Sequence, residues 1–74
     1  MMKDTSAKLL DVVALLKDKP REGLVAGHVG TIVEAGGGGS FLVEFLNREG
    51  YTFALAELRP DELLVLKHEP VLAA

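Results

Sequence analysis

The stretch from Gly27 to Leu46 limits the possible folds of this chain more than any other. His28-Val29-Gly30-Thr31-Ile32-Val33-Glu34-Ala35 alternates side chains across a strand, with Val29, Thr31 and Val33 on one face and Ile32 and Glu34 on the other. Gly36 to Gly39 carries no side chains and cannot hold a strand, so it reads as a hairpin tip. Residues 40–46 then alternate again: Phe41, Val43 and Phe45 share an inward face, opposite Leu42, Glu44 and Leu46. Asn47-Arg48-Glu49-Gly50 is a tight hairpin whose first and last residues suit positive φ. Residues 51–56 form the next strand, with Tyr51, Phe53 and Leu55 aligned on one face and Phe53 inward.

The flanks extend this pattern. Residues 9–17 permit a helix by length and by their Leu and Ala content, with Ser6 as a possible cap. Adjacent Val12 and Val13 favour a strand, and Pro20 ends the segment either way. A first strand is the expectation, because the rest of the chain is β and needs one to close a barrel. Residues 18–27 form a polar loop punctuated by Pro20 and Gly23, with Leu24 folding back to plug one barrel end. Residues 57–61 suit a single 3₁₀ turn, and residues 62–67 a fifth strand. Five short strands, a long first loop, tight hairpins and a one-turn helix before the last strand describe an all-β, five-stranded SH3-like barrel. The expected organisation is an N-terminal tail over residues 1–8, the barrel over 9–67 and an apolar C-terminal tail over 68–74. Glycine within a strand marks where backbones approach or bend, which is the place assigned to Gly30. Gly27 and Gly50 are assigned to turns.

Composition limits what such a barrel can do. A 74-residue chain holds one domain with a thin core, and without cysteine it has neither disulfides nor thiolate metal sites. Nearly half the residues (49%) are hydrophobic, more than so small an interior absorbs, which predicts apolar surface covered by a second copy or another protein. The net charge of −3 and the absence of a basic run make nucleic acid an improbable ligand. No segment approaches the ~20 apolar residues of a membrane span, and the start of the chain lacks a secretory leader pattern. A cytoplasmic location is expected.

Leu10-Asp11-Val12-Val13-Ala14-Leu15, then Pro20, Gly23-Leu24, Gly27, Val29-Gly30-Thr31-Ile32-Val33, Val43-Glu44-Phe45, Gly50, and Leu58 with Asp61-Glu62-Leu63 form an ordered set. Taken together they resemble the bacterial family catalogued as domain of unknown function 4926, over residues 9–66. The resemblance implies a small stand-alone bacterial barrel without assigned catalysis. It brings no functional residues to carry across.

The residues themselves offer little chemistry. A phosphate loop needs its glycines to lead into a helix N-terminus with Lys beside Ser or Thr; here Ser40 and Phe41 start a strand and no Lys is near. His28 and His68 lie in no ligand spacing and read as exposed strand-end histidines. With Ser6 and Ser40 in a tail and a loop, no nucleophile constellation is present. The carboxylates form a solvated face, on which Glu34 and Glu44 are candidate cross-strand neighbours. Peptide grooves and nucleic-acid barrels use exposed aromatics, but the chain has no Trp and one Tyr. The expectation is therefore a non-enzymatic module with no cofactor and no metal. It docks a protein partner or itself through Leu42, Leu46 and the tail residues Val71 and Leu72. The alternatives are an antitoxin or immunity-type partner of a neighbouring toxin, and a weak nucleic-acid-binding barrel.

Overall fold

The computed structural model of the chain describes residues 7–66. Five strands form one antiparallel sheet: β1 (Val12–Leu15), β2 (Val29–Ala35), β3 (Phe41–Leu46), β4 (Thr52–Leu58) and β5 (Leu63–Val65). Their order across the sheet is β4-β3-β2-β1-β5, the order of SH3-like barrels. The first strand and the last are neighbours, while β4 and β5 lie at opposite ends of the order, so hydrogen bonds do not close the barrel. Three 3₁₀ turns, Pro20–Glu22, Gly37–Gly39 and Pro60–Glu62, are the only helical elements among the described residues. No helix there is long and apolar enough to cross a membrane.

The ambiguous first segment is a strand, because β-branched Val12 and Val13 pair with β2 on one side and β5 on the other. It is shorter than its apolar run. Leu9 and Leu10 form a turn, in which Leu10 takes a left-handed φ of 73° and donates its N–H to the Ile32 carbonyl. Inward side chains build the core: Val13, Leu15, Leu24, Ile32, Val43, Phe45, Ala56, Leu58 and Leu63 are all buried. Leu24 is supplied by the long loop, whose 3₁₀ turn lies beside β4.

Two register shifts correct the sequence reading. One falls between Phe45 and Leu46, so that Phe45 faces Ala54 while Leu46 faces Thr52. The β3–β4 register sets Ala54, not Phe53, opposite the buried Phe45, and Phe53, the extra β4 residue at the shift, is 42% exposed rather than in the core, with Tyr51 and Leu55 more open still, at 71% and 55%. Ala54, Ala56 and Leu58 take the inward places instead, and β4 runs on to Leu58, moving the 3₁₀ turn to Pro60–Glu62. The other shift lies between Ile32 and Glu34 and sets Glu34 opposite Leu42, while Glu44, ahead of the shift, lies opposite Thr31. Glu34 and Glu44 are therefore not cross-strand partners.

Gly30 sits between Val13 of β1 and Phe45 of β3. A Cβ there would lie 2.7 Å from Val43 Cγ1, 2.8 Å from the Glu44 carbonyl oxygen and 2.9 Å from Phe45 Cδ1. Two neighbouring side chains and a backbone oxygen occupy the space a side chain needs. Gly27 and Gly50 are turn residues of a different kind, with φ of 98° and 90°. Residues 1–6 and 67–74, with Ser6, His68, Val71 and Leu72, lie outside the described residues.

Candidate functional site

Alternation sends one set of side chains into the core and leaves the other on the outer face of the sheet. Pairing arranges that outer set in rows. Leu64, Ala14 and Val29 face one another across β5, β1 and β2, and the same register brings Leu46 beside Val29. Val12, Thr31, Glu44 and Leu55 form the next row, across β1 to β4. Glu34, Leu42 and Glu57 form the third, across β2, β3 and β4. Val29, Leu46, Leu55 and Leu64 each leave 50–55% of their surface in water, so the outer face is ribbed with aliphatic side chains.

The only charges on this part of the sheet are acidic. No Lys or Arg occurs between Arg21 and Arg48, nor between Arg48 and Arg59, so β2, β3 and β4 carry none. Glu44 accepts a hydrogen bond from the Thr52 hydroxyl, and Glu57 Oε2 accepts one from Ser40 Oγ at 2.6 Å. Among the described residues the ion pairs involve Asp11, Asp61 and Glu62 rather than Glu34, Glu44 or Glu57. A groove of about 240 Å³ opens in the third row, lined by Glu34, Gly36, Ser40, Leu42 and Glu57.

A second polar cluster serves the fold. Glu62 is 3% exposed; its carboxylate accepts the Arg59 N–H at 2.9 Å and an ion pair from Lys19 Nζ at 2.7 Å. The Arg59 backbone bond, then the Lys19 contact, hold its carboxyl below the ordinary glutamate value despite burial. The contact ties the long loop to the turn that precedes β5.

His28 is half-buried rather than an exposed strand end. Its ring meets Phe53 and Phe45 edge-on, with centroids 5.6 Å and 6.5 Å away, and its Nδ1 accepts the Val25 N–H at 3.0 Å. Among the described residues no group of three or more His, Asp or Glu side chains is placed to hold a metal ion. Of the residues expected to meet a partner, Leu42 is half-buried as the groove floor and Leu46 is exposed at the end of the first row. The pairing of Ser40 with Glu57, and the flanking of Leu42 by two carboxylates, were missed from the sequence because they depend on the β2 bulge and the β3–β4 register. The long interval without basic residues is the signal that could have drawn attention to this face.

Strand order, the long first loop and the 3₁₀ turn before β5 define a small SH3-like barrel whose outer sheet surface is apolar and acidic. Residues 9–65 match the family described as a domain of unknown function (DUF4926), and the chain belongs to that family. No curated protein and no solved structure matches it.

Proposed function

We propose that the chain is a non-enzymatic protein–protein interaction module of the bacterial cytoplasm, docking a partner protein on the outer face of β2, β3 and β4. The observation that supports this reading is the set of half-exposed aliphatic side chains on that face, Val29, Leu46 and Leu55 above all. Several large apolar side chains left open on one face of a small domain mark a contact surface, and burial of about half of each such side chain contributes roughly 1 kcal/mol apiece. Affinity capture from the cell of origin, run in parallel with wild type and a Leu46→Ser/Leu55→Ser variant, tests it. The expected result is a partner retained by wild type and lost by the variant, which keeps the wild-type circular dichroism. Equal capture by both proteins would overturn the reading. Light scattering on the same two proteins identifies a second copy as the partner if only wild type dimerises.

The wholly acidic charge of the face favours one narrower version, an immunity-type inhibitor of a basic enzyme, since opposite charge steers association. Co-expression with the product of an adjacent gene checks it: relief of that product's toxicity is expected, and persistent toxicity argues against it.

A further inference from the structure

The groove in the third row has the chemistry of a seat for one cationic side chain. Its two walls are Glu34 and Glu57, each opposite Leu42 on a neighbouring strand. Two strand spacings put their backbones roughly 10 Å apart, so a cation midway lies within reach of both carboxylates. Its floor is Leu42, an apolar surface of the kind along which the methylene stem of Lys or Arg lies while the charged head reaches polar groups. Ser40 donates its hydroxyl to Glu57 Oε2 at 2.6 Å, which fixes the position of that wall. The rim at Gly36 stays low because there is no Cβ. One built there would lie 3.2 Å from Ser40 Oγ and 3.9 Å from Glu57 Oε2, although the φ of −85° is open to any residue. At about 240 Å³ the groove is smaller than the ~300–1,000 Å³ of small-molecule pockets, a size that suits a side chain rather than a free metabolite.

Charge completes the assignment. β2, β3 and β4 hold no Lys or Arg, and no described cation ion-pairs with Glu34 or Glu57. An apolar face with acidic walls is complementary to a segment that alternates apolar and basic residues, and it repels nucleic acid and acidic proteins. Resting on the interaction-module reading, we propose that the partner is a basic protein segment, and that one of its Lys or Arg side chains enters the groove between Glu34 and Glu57. Leu46 and Leu55 then meet the apolar residues that flank this cation.

Amide chemical-shift titration of the full-length ¹⁵N-labelled chain tests the proposal. The probes are an acetylated, amidated Val-Lys-Val-Arg-Val peptide, the same peptide with Gln at both basic positions, and magnesium chloride. The basic peptide is expected to produce saturable shifts centred on Gly36, Ser40 and Leu42, with the Gln peptide binding at least about tenfold more weakly, a factor equivalent to 1.4 kcal/mol. The Glu34→Gln/Glu57→Gln variant should weaken the basic peptide by a similar factor. Gly36→Val should do so without any change of charge, while Glu22→Gln/Asp61→Asn, which removes two carboxylates elsewhere, should leave it unaltered. Equal binding of the Gln peptide, shifts centred elsewhere, the same shifts with magnesium chloride, or an equal loss in the control variant would each overturn it. The two readings fail separately. If Leu46→Ser/Leu55→Ser releases the captured partner while Glu34→Gln/Glu57→Gln does not, the groove assignment falls and the docking face stands. If neither variant changes capture but the groove variant abolishes peptide binding, the docking face falls and the cation seat stands.

Discussion

At the scale of single residues, Gly30 gives the sharpest constraint. Gly→Ala at an ordinary position stabilises a protein by about 0.4–1 kcal/mol, because alanine restricts the unfolded chain. At Gly30 the Cβ itself collides, at 2.7–2.9 Å, with two side chains and a backbone oxygen. Gly30→Ala is therefore expected to destabilise by about 2 kcal/mol, and Gly30→Val by about 3 kcal/mol, near the upper end of overpacking costs. Urea unfolding followed by circular dichroism measures both, and an alanine variant at least as stable as wild type would show that the close approach is absent. This position was legible in the sequence, since a lone glycine amid β-branched strand residues marks a place where a neighbouring backbone leaves no room for a side chain. Phe53 was not. Its aromatic character points inward, but the β3–β4 register sets Ala54 opposite the buried Phe45 and leaves Phe53 as the unpaired residue at the rim beside His28, and nothing local in residues 51–56 announces that register. Alternation identifies strands well and assigns faces only until the first bulge.

Among the elements, the loop between β1 and β2 is the one whose order depends on side chains. Its own backbone supplies an isolated pairing, with the Lys19 N–H donating to the Leu24 carbonyl at 2.8 Å and the reverse bond at 3.1 Å. Asp18 accepts the Ala26 N–H, and Lys19 reaches Glu62 on the turn before β5. Pro20, Gly23 and Leu24 made the loop and its buried leucine legible. The Lys19–Glu62 contact was not, because it joins residues distant in sequence through the β1–β5 pairing. It has a consequence for pH. The folded state holds the Glu62 carboxyl below its ordinary value of 4.5, chiefly through the Arg59 N–H and then Lys19, so the unfolded chain binds the proton more readily. Stability from this group is present above pH 4.5 and is lost as pH falls from there through the lowered folded value. Glu62→Gln should lose about 2 kcal/mol at neutral pH, the scale of a hydrogen bond to a charged group. It should also flatten the dependence of stability on pH in that acidic window. Thermal unfolding across pH 3–7 compares the two proteins, and parallel curves would remove Glu62 as the source of the acid sensitivity.

For the whole molecule, the open side of the barrel decides where stability is most easily lost. β4 and β5 share no ladder, so side chains rather than hydrogen bonds seal the interior between them. Leu58 comes from β4, Leu63 from β5, and Leu24 from the loop whose 3₁₀ turn lies beside β4; all three belong to one buried cluster. Strand order and this division of labour were legible as an SH3-like barrel, whereas the lack of closure was not, because alternation reports faces and says nothing of edges. The core is small, with nine buried apolar side chains among the described residues, and Leu24 is 0% exposed. At ~0.05–0.15 kcal/mol per residue, a 74-residue chain has a total stability of roughly 4–11 kcal/mol. Leu24→Ala removes a fully buried side chain that strand pairing does not hold in place, and its expected cost of about 3 kcal/mol is a large share of that total. For a domain of this size each kcal/mol lowers the melting temperature by about 4–8 °C, so a fall of at least about 12 °C is expected. Leu46→Ser, on the exposed outer face, should change stability by no more than about 0.5 kcal/mol. Calorimetry on the pair separates a loop that belongs to the core from one that only crosses it: if Leu24→Ala melts within 2–3 °C of Leu46→Ser, about the shift expected from 0.5 kcal/mol, the loop contributes nothing to the seal, and the barrel is held by its strands alone.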